Sequence, residues 1–154
     1  MGRSRGGLTT KLHVVVDAEG RPIRLRLTEG QAHDGRTARD MLETVGSGMI
    51  FIADRAYDAD WLREALGDCG AWANIRPLAH RREPQVFSKW VYRQRNQVER
   101  FFNKLKHFRA IATRYDKRDD NFLASIQLAS LRIWIRSYES VTYAGWLRTG
   151  RGVR

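Results

Sequence analysis

This 154-residue chain has little cysteine and proline and a shortage of acidic relative to basic side chains: one cysteine, three prolines, and 17 Asp and Glu against 28 Lys and Arg. A single thiol, Cys69, excludes an intramolecular disulfide and fits a reducing compartment. No apolar run reaches the roughly 18 residues needed to span a membrane. The leading MGRSRGG has no apolar stretch behind it, so it does not read as a signal peptide. With 42% hydrophobic residues the chain has enough to build a core and is not wholly disordered. The expectation is a cytoplasmic protein of about one domain with no membrane partner.

The shortage of acids leaves a formal charge of +11. That excess favours a polyanionic partner: nucleic acid, an acidic protein or an anionic surface. It is not spread evenly. Residues 1–80 are balanced, whereas residues 81–118 hold 12 basic and 3 acidic side chains. A solvated helical face would give such a cluster by chance. The segment is richer in Arg than Lys, however, and the planar guanidinium fork suits phosphate.

The pattern reads β-β-α-β-α-β-α-α, an α/β chain. Thr9–Asp17 is β-branched and apolar. Pro22–Thr28 alternates Ile23, Leu25 and Leu27 with Arg24, Arg26 and Thr28, a period of two expected of a half-buried strand. Glu19-Gly20 between them makes a hairpin turn. Asp34 is placed to cap a helix running to about Val45. Met49–Ala53 is a continuous apolar run, expected to be a strand covered on both faces. Asp58 is placed to cap a helix over Ala59–Leu66, ended by Gly67 or Gly70. Ala71–Ile75 reads as a further strand and residues 77–88 as a loop. Helices are expected over Tyr92–Phe108 and Asp120–Ser137. Residues 139–154 read as a loose basic tail and residues 1–138 as the domain proper.

Two acids stand out. Asp54 follows the apolar run directly, at the strand end where α/β folds open their crevices; as an ordinary turn or cap aspartate it needs no further role. Glu99 lies on the helix YRQRNQVERFFNKLKHFR. There Val98, Phe101, Phe102 and Leu105 form the core stripe, and Tyr92, Arg95, Glu99 and Lys106 share a side beside it. Arg95 and Glu99 also fit a plain i,i+4 surface pair. Two carboxylates from different elements in a basic setting suit Mg²⁺ or Mn²⁺ among phosphates. No Cys/His spacing for zinc exists. The run GRSRGG, residues 2–7, is a weak candidate anion nest without the Walker ending. The apolar stretch Phe122–Tyr138 reads as a core helix, since Arg132 and Arg136 make no face suited to lipid.

Several blocks in order resemble the DDE transposases of bacterial insertion sequences, in the insertion sequence four and five grouping. GRSRGGLTTKLHVVVDAEGRP resembles that family's hairpin region. IADRAYDAD resembles the block around its second catalytic aspartate. Tyr92, Arg95, Glu99 and Lys106 match its Y-x2-R-x3-E-x6-K signature, and FRAIATRYDK, residues 108–117, follows as family sequence. The resemblance covers roughly residues 2–138. It implies a ribonuclease-H-like fold, with Asp54 the second aspartate and Glu99 the glutamate of a three-acid site. Two metal ions, Mg²⁺ or Mn²⁺, about 3.5–4 Å apart would serve an in-line phosphoryl transfer, one activating water or a 3′-hydroxyl and the other stabilising the leaving oxygen. Tyr92, Arg95, Arg100, Lys104 and Lys106 would contact DNA. The partners implied are the element's terminal inverted repeats, target DNA and further copies of the chain.

One part of the family pattern has no match. The first catalytic aspartate lies on a strand upstream of GRSRGG, whereas no Asp here precedes Asp17, and Asp17 falls at the hairpin turn. The expectation is a ribonuclease-H-like fold lacking its first, central strand. An upstream transposase segment would then supply the first acid, as in a split transposase. Two alternatives remain: an inactive remnant or inhibitor that only binds DNA, and a general basic nucleic-acid-binding module.

Overall fold

In a computed structural model the structure describes residues 2–4, 7–29, 34–83, 85–114, 116 and 118–148. The elements in order are β1 (Gly2–Ser4), β2 (Gly7–Val16), β3 (Pro22–Glu29), α1 (Asp34–Met41), β4 (Ile50–Ala53), α2 (Asp60–Asp68), β5 (Trp72–Ile75), α3 (Lys89–Tyr92), α4 (Asn96–Lys106), α5 (Arg109–Ala112) and α6 (Asp119–Arg148). Short 3-10 turns lie at Leu42–Thr44, Arg55–Tyr57 and Arg93–Arg95. The chain divides into two compact units, residues 1–100 and 101–154.

In the first unit β1, β2 and β3 form an antiparallel sheet, while β4 and β5 pair in parallel in a sheet of their own. The β2–β3 turn is built by Asp17. Its carboxylate accepts from the Glu19 and Arg21 backbone N–H groups and from Arg21 Nε, at 3.0, 2.8 and 2.6 Å. Gly20, at φ +77°, closes the turn by donating to the Asp17 carbonyl. Asp17 is thus fully engaged in the turn.

The period-two reading of β3 holds, and both faces of the hairpin are partly buried. Cross-strand register places His13 opposite Arg26 and Val15 opposite Arg24. On that face His13 is 5% exposed, and Arg24 and Arg26 pair with Glu43 and Asp40. The apolar face, with Leu12, Val14, Leu25 and Leu27, is only half-buried, and Ile23 is exposed. Alternation fixes which residues share a side; it does not fix which side meets the rest of the protein.

The core of this unit is Ala38, Ala53, Leu62, Leu66, Ala71 and Ile75, formed where α1 and α2 pack on the β4–β5 sheet. Burying each of the large aliphatic side chains contributes about 1.5–3 kcal/mol. The other side of this sheet carries fully buried Asn74. Its side chain donates to the Ser88 carbonyl at 3.1 Å and accepts from the Ser88 N–H at 2.8 Å. Ser88 in turn caps α3 by accepting from the Val91 N–H. The start of β4 departs from the expected two-sided cover. Met49 and Ile50 are exposed, and β5 is the only described strand that pairs with β4.

Asp58 does not cap α2. Ala59 holds the cap position, and Asp58 is buried in an ion-pair network instead. Gly67 lies within α2; Gly70, at φ +70°, ends it. The Gly70 and Ala71 N–H groups donate back to the Gly67 and Leu66 carbonyls, each at 2.8 Å, as the left-handed terminating motif requires. Where one helix was expected from Tyr92, the chain forms α3, a 3-10 turn and α4.

In the second unit α6 buries Ile126, Ala129, Ser130 and Ile133, and Arg114 lies 4.8 Å over the Phe122 ring. The assigned helix continues past Ser140 to Arg148, beyond the end expected near Ser137. Residues 149–154 of the expected tail, the Asp34 side chain and Arg5–Gly6 of the candidate nest lie outside the described residues.

Candidate active site

Asp54 stands immediately beyond β4, at the mouth of the 3-10 turn Arg55–Tyr57. The Tyr57 N–H donates to the Asp54 carbonyl at 2.9 Å, so the chain folds back on itself there. The Asp54 side chain caps nothing and is 50% exposed. Its two oxygens are taken by two residues from the far end of the first unit. The Tyr92 hydroxyl donates to Oδ1 at 2.8 Å, and Arg95 Nη1 donates to Oδ2 at 3.2 Å.

Arg95 also reaches Glu99 through its other terminal nitrogen. One guanidinium therefore bridges Asp54 and Glu99. The i,i+4 surface pair and the two-element site are the same contact. Arg95 lies 5.9 Å from the centre of the Tyr92 ring, and Phe87 packs edge-on against that ring at 5.1 Å. Burial, then the hydrogen bond to Asp54 and the nearby Asp54 charge, raise the Tyr92 phenol above its ordinary value of 10.0.

The supports of this constellation are legible. Asn74 and Ser88 fix the start of α3 and so deliver Tyr92 and Arg95. The Asp54 turn is held on its far side by Asp58, which follows four residues on. Asp58 accepts from Arg63 Nε at 2.9 Å, Arg81 Nε at 2.8 Å and the Leu78 N–H at 2.8 Å. Burial alone raises an acid's pKa, but these donors outweigh it, and the Asp58 carboxyl is held below its ordinary 3.8. Sequence pattern missed this role, since a cap and a buried ion pair both ask for an aspartate. Arg63 and Arg81 at a distance carry no local signal.

Of the other expected site residues, Arg100 is exposed on α4 in the first unit, and Lys104 and Lys106 are exposed in the last turn of α4 in the second. Among the described residues no three His, Cys, Asp or Glu side chains cluster as metal ligands. Asp54 and Glu99 offer hard oxygen donors that already converge on one cation, the Arg95 guanidinium. That donor set fits Mg²⁺ or Mn²⁺ in character.

This is a mixed α/β protein with two carboxylates from separate elements converging on one arginine, in a chain rich in basic residues. The chain belongs to the transposase DDE domain family, whose sequence profile matches residues 2–134. It is 40% identical over 130 residues to a Brucella ovis protein named "Putative transposase for insertion sequence element IS6501", an alignment covering 84% of this chain and all of that one. It is 30% identical over 142 residues to a Burkholderia cepacia protein named "Putative transposase for insertion sequence element IS402", covering 82% of this chain and 62% of that one. No solved structure matches. The family is one of enzymes, and the chain is an insertion-sequence transposase of the DDE type. The family implies a ribonuclease-H-like fold. No helix among the described residues is long and apolar enough to cross a membrane.

Proposed function

We propose that this chain carries two of the three acids of a metal-dependent DNA strand-cleaving and strand-joining site, Asp54 and Glu99. The observation that carries the reading is the Arg95 bridge. A guanidinium spanning two carboxylates from separate elements marks a place built for cationic charge. Asp54 and Glu99 would hold Mg²⁺ or Mn²⁺, which when bound supplies Lewis-acid stabilisation of the phosphoryl oxygens. Tyr92 orients the Asp54 carboxylate through Oδ1. Arg95 would serve as a bidentate donor to a DNA phosphate. Arg100, Lys104 and Lys106 would neutralise the backbone of the transposon end and of target DNA.

The third acid, on this reading, comes from an upstream segment that adds a strand beside β4. Three features support it. Asp17 is committed to its turn. β4 has β5 as its only described strand partner, with Met49 and Ile50 exposed. The apolar face of the hairpin is only half-buried. The active assembly would then hold several copies on two transposon ends. An inactive DNA-binding remnant is the competing reading.

The test is strand cleavage and joining on a terminal-repeat oligonucleotide with Mn²⁺. It compares this chain alone with the chain joined to an upstream segment bearing the aspartate strand. The expected result is activity in the joined protein only. Turnover by the 154 residues alone contradicts the need for a third acid. No activity in either favours the remnant.

A further inference from the structure

The β2–β3 hairpin carries none of the acids, yet it touches both elements that do. On β2, His13 is buried with both ring nitrogens engaged. Nδ1 lies 2.9 Å from the Tyr57 hydroxyl and Nε2 lies 2.8 Å from Thr28 Oγ1 on β3. The His13 and Tyr57 rings meet edge-on. Tyr57 ends the 3-10 turn that begins at Asp54. At the other end of the hairpin, buried Gly20 lies against the Glu99 helix. A Cβ there would stand 2.9 Å from Gln97 Oε1 and 3.4 Å from the Gln97 carbonyl. Among the described residues the two sheets share no strand pairing, so side-chain and turn contacts of this kind join the hairpin to the site.

We infer that His13 is a positioning residue for Asp54, acting through the Tyr57 hydroxyl, and that the hairpin is the brace that sets Asp54 against the Glu99 helix. A neutral imidazole has one donor and one acceptor nitrogen, so His13 can bond both hydroxyls at once. Being buried, it gains full value from each bond and loses it on misplacement. The link reaches the acid through three residues of tight turn, Arg55 to Tyr57. Groups bonded directly to a ligand typically change metal affinity by 10–100-fold when removed, and this link, acting through the turn, is expected at the lower end of that range.

The inference rests on the reading of Asp54 as a metal acid, so the test has one arm free of metal. Amide hydrogen exchange is measured on the full chain as wild type, Tyr57→Phe, His13→Phe and His13→Asn. The Tyr57 and Asp58 N–H groups, which donate to the Asp54 and Arg55 carbonyls, report the turn. Tyr57→Phe and His13→Phe are expected to speed exchange at positions 57 and 58 by about tenfold. The amides of α2 should keep their protection. His13→Asn, which keeps an amide group near Nδ1, is expected to recover part of it. Unchanged exchange at 57 and 58, or a rise shared equally by all of residues 1–100, overturns the brace.

The second arm is Mn²⁺ titration of the chain joined to the upstream aspartate strand, in the same variants. Tyr57→Phe is expected to weaken binding about tenfold, and the double variant His13→Phe/Tyr57→Phe to be no worse than either single one. Full affinity in Tyr57→Phe overturns the positioning role even if exchange rises. If wild type and Asp54→Asn take up Mn²⁺ equally, the metal reading falls, and the exchange arm still decides the brace.

Discussion

Removing the Asp58 carboxylate should cost more stability than any other single polar change in the first unit. Its side chain has no exposed surface and accepts from two guanidinium groups and the Leu78 N–H. In Asp58→Ala these donors lose their acceptor together. Arg63 keeps its bonds to the Ala73 and Ile75 carbonyls, and Arg81 keeps its pair with exposed Asp60, so neither is wholly orphaned. Breaking a buried pair from one side costs about 3–5 kcal/mol. The residual partners place this case near the middle, about 4 kcal/mol. With a urea dependence of about 2 kcal/mol per M for a unit this size, the unfolding midpoint should fall by about 2 M. The pH dependence has a definite sign. The folded carboxyl lies below its ordinary value of 3.8, so the unfolded chain binds the proton more readily. Stability from Asp58 is therefore present in full above that ordinary value and is lost as pH falls through the lower folded one. Asp58→Asn should remove this acid-side slope as well as shift the midpoint. A midpoint shift under 0.5 M, corresponding to about 1 kcal/mol, would refute the buried-network account.

The remaining predictions concern the site and its frame. Tyr92 should titrate above 10.0 by ultraviolet absorbance, and Asp54→Asn should bring it part of the way back, leaving the share due to burial. An unmoved Tyr92 titration would break the Tyr92–Asp54 link. Arg95→Ala should weaken DNA binding and lower the salt slope by about one phosphate; an identical slope would remove Arg95 from the DNA surface. Gly70→Ala should cost about 1–2 kcal/mol by thermal unfolding, since it forces a side chain into φ +70° and brings its Cβ to 2.8 Å from Ser47 Oγ. A neutral outcome would mean the α2 terminus relaxes freely.

Local pattern located much of this fold. The hairpin strands, the 3-10-ended α1, β4, α2 and β5 fall near the expected places because each has a period or a breaker within its own few residues. Asp54 and Glu99 were visible as acids in suitable contexts. That one arginine joins them was not, because 41 residues separate Arg95 from Asp54. Asp58 was misread for the same reason: its partners lie 5, 20 and 23 residues away. His13 carried no signal at all within an apolar strand, where a buried histidine looks like an interruption. In β3 the alternation shows which residues share a side, and the arginine side meets α1 and the turn after it through Asp40 and Glu43, partners that no local pattern names. The exposed start of β4 has a similar origin: an apolar run announces that something covers it, and β5 covers one edge only.

The central claim is that Asp54 and Glu99 are acids of one metal site, and Mn²⁺ binding to the chain joined to an upstream aspartate strand tests it most directly. The wild-type protein should bind Mn²⁺, with Asp54→Asn and Glu99→Gln each weakening it by tenfold or more and the double variant abolishing it. Equal affinity in wild type and either single variant would contradict the assignment of that acid, and equal affinity in all of them would contradict the site.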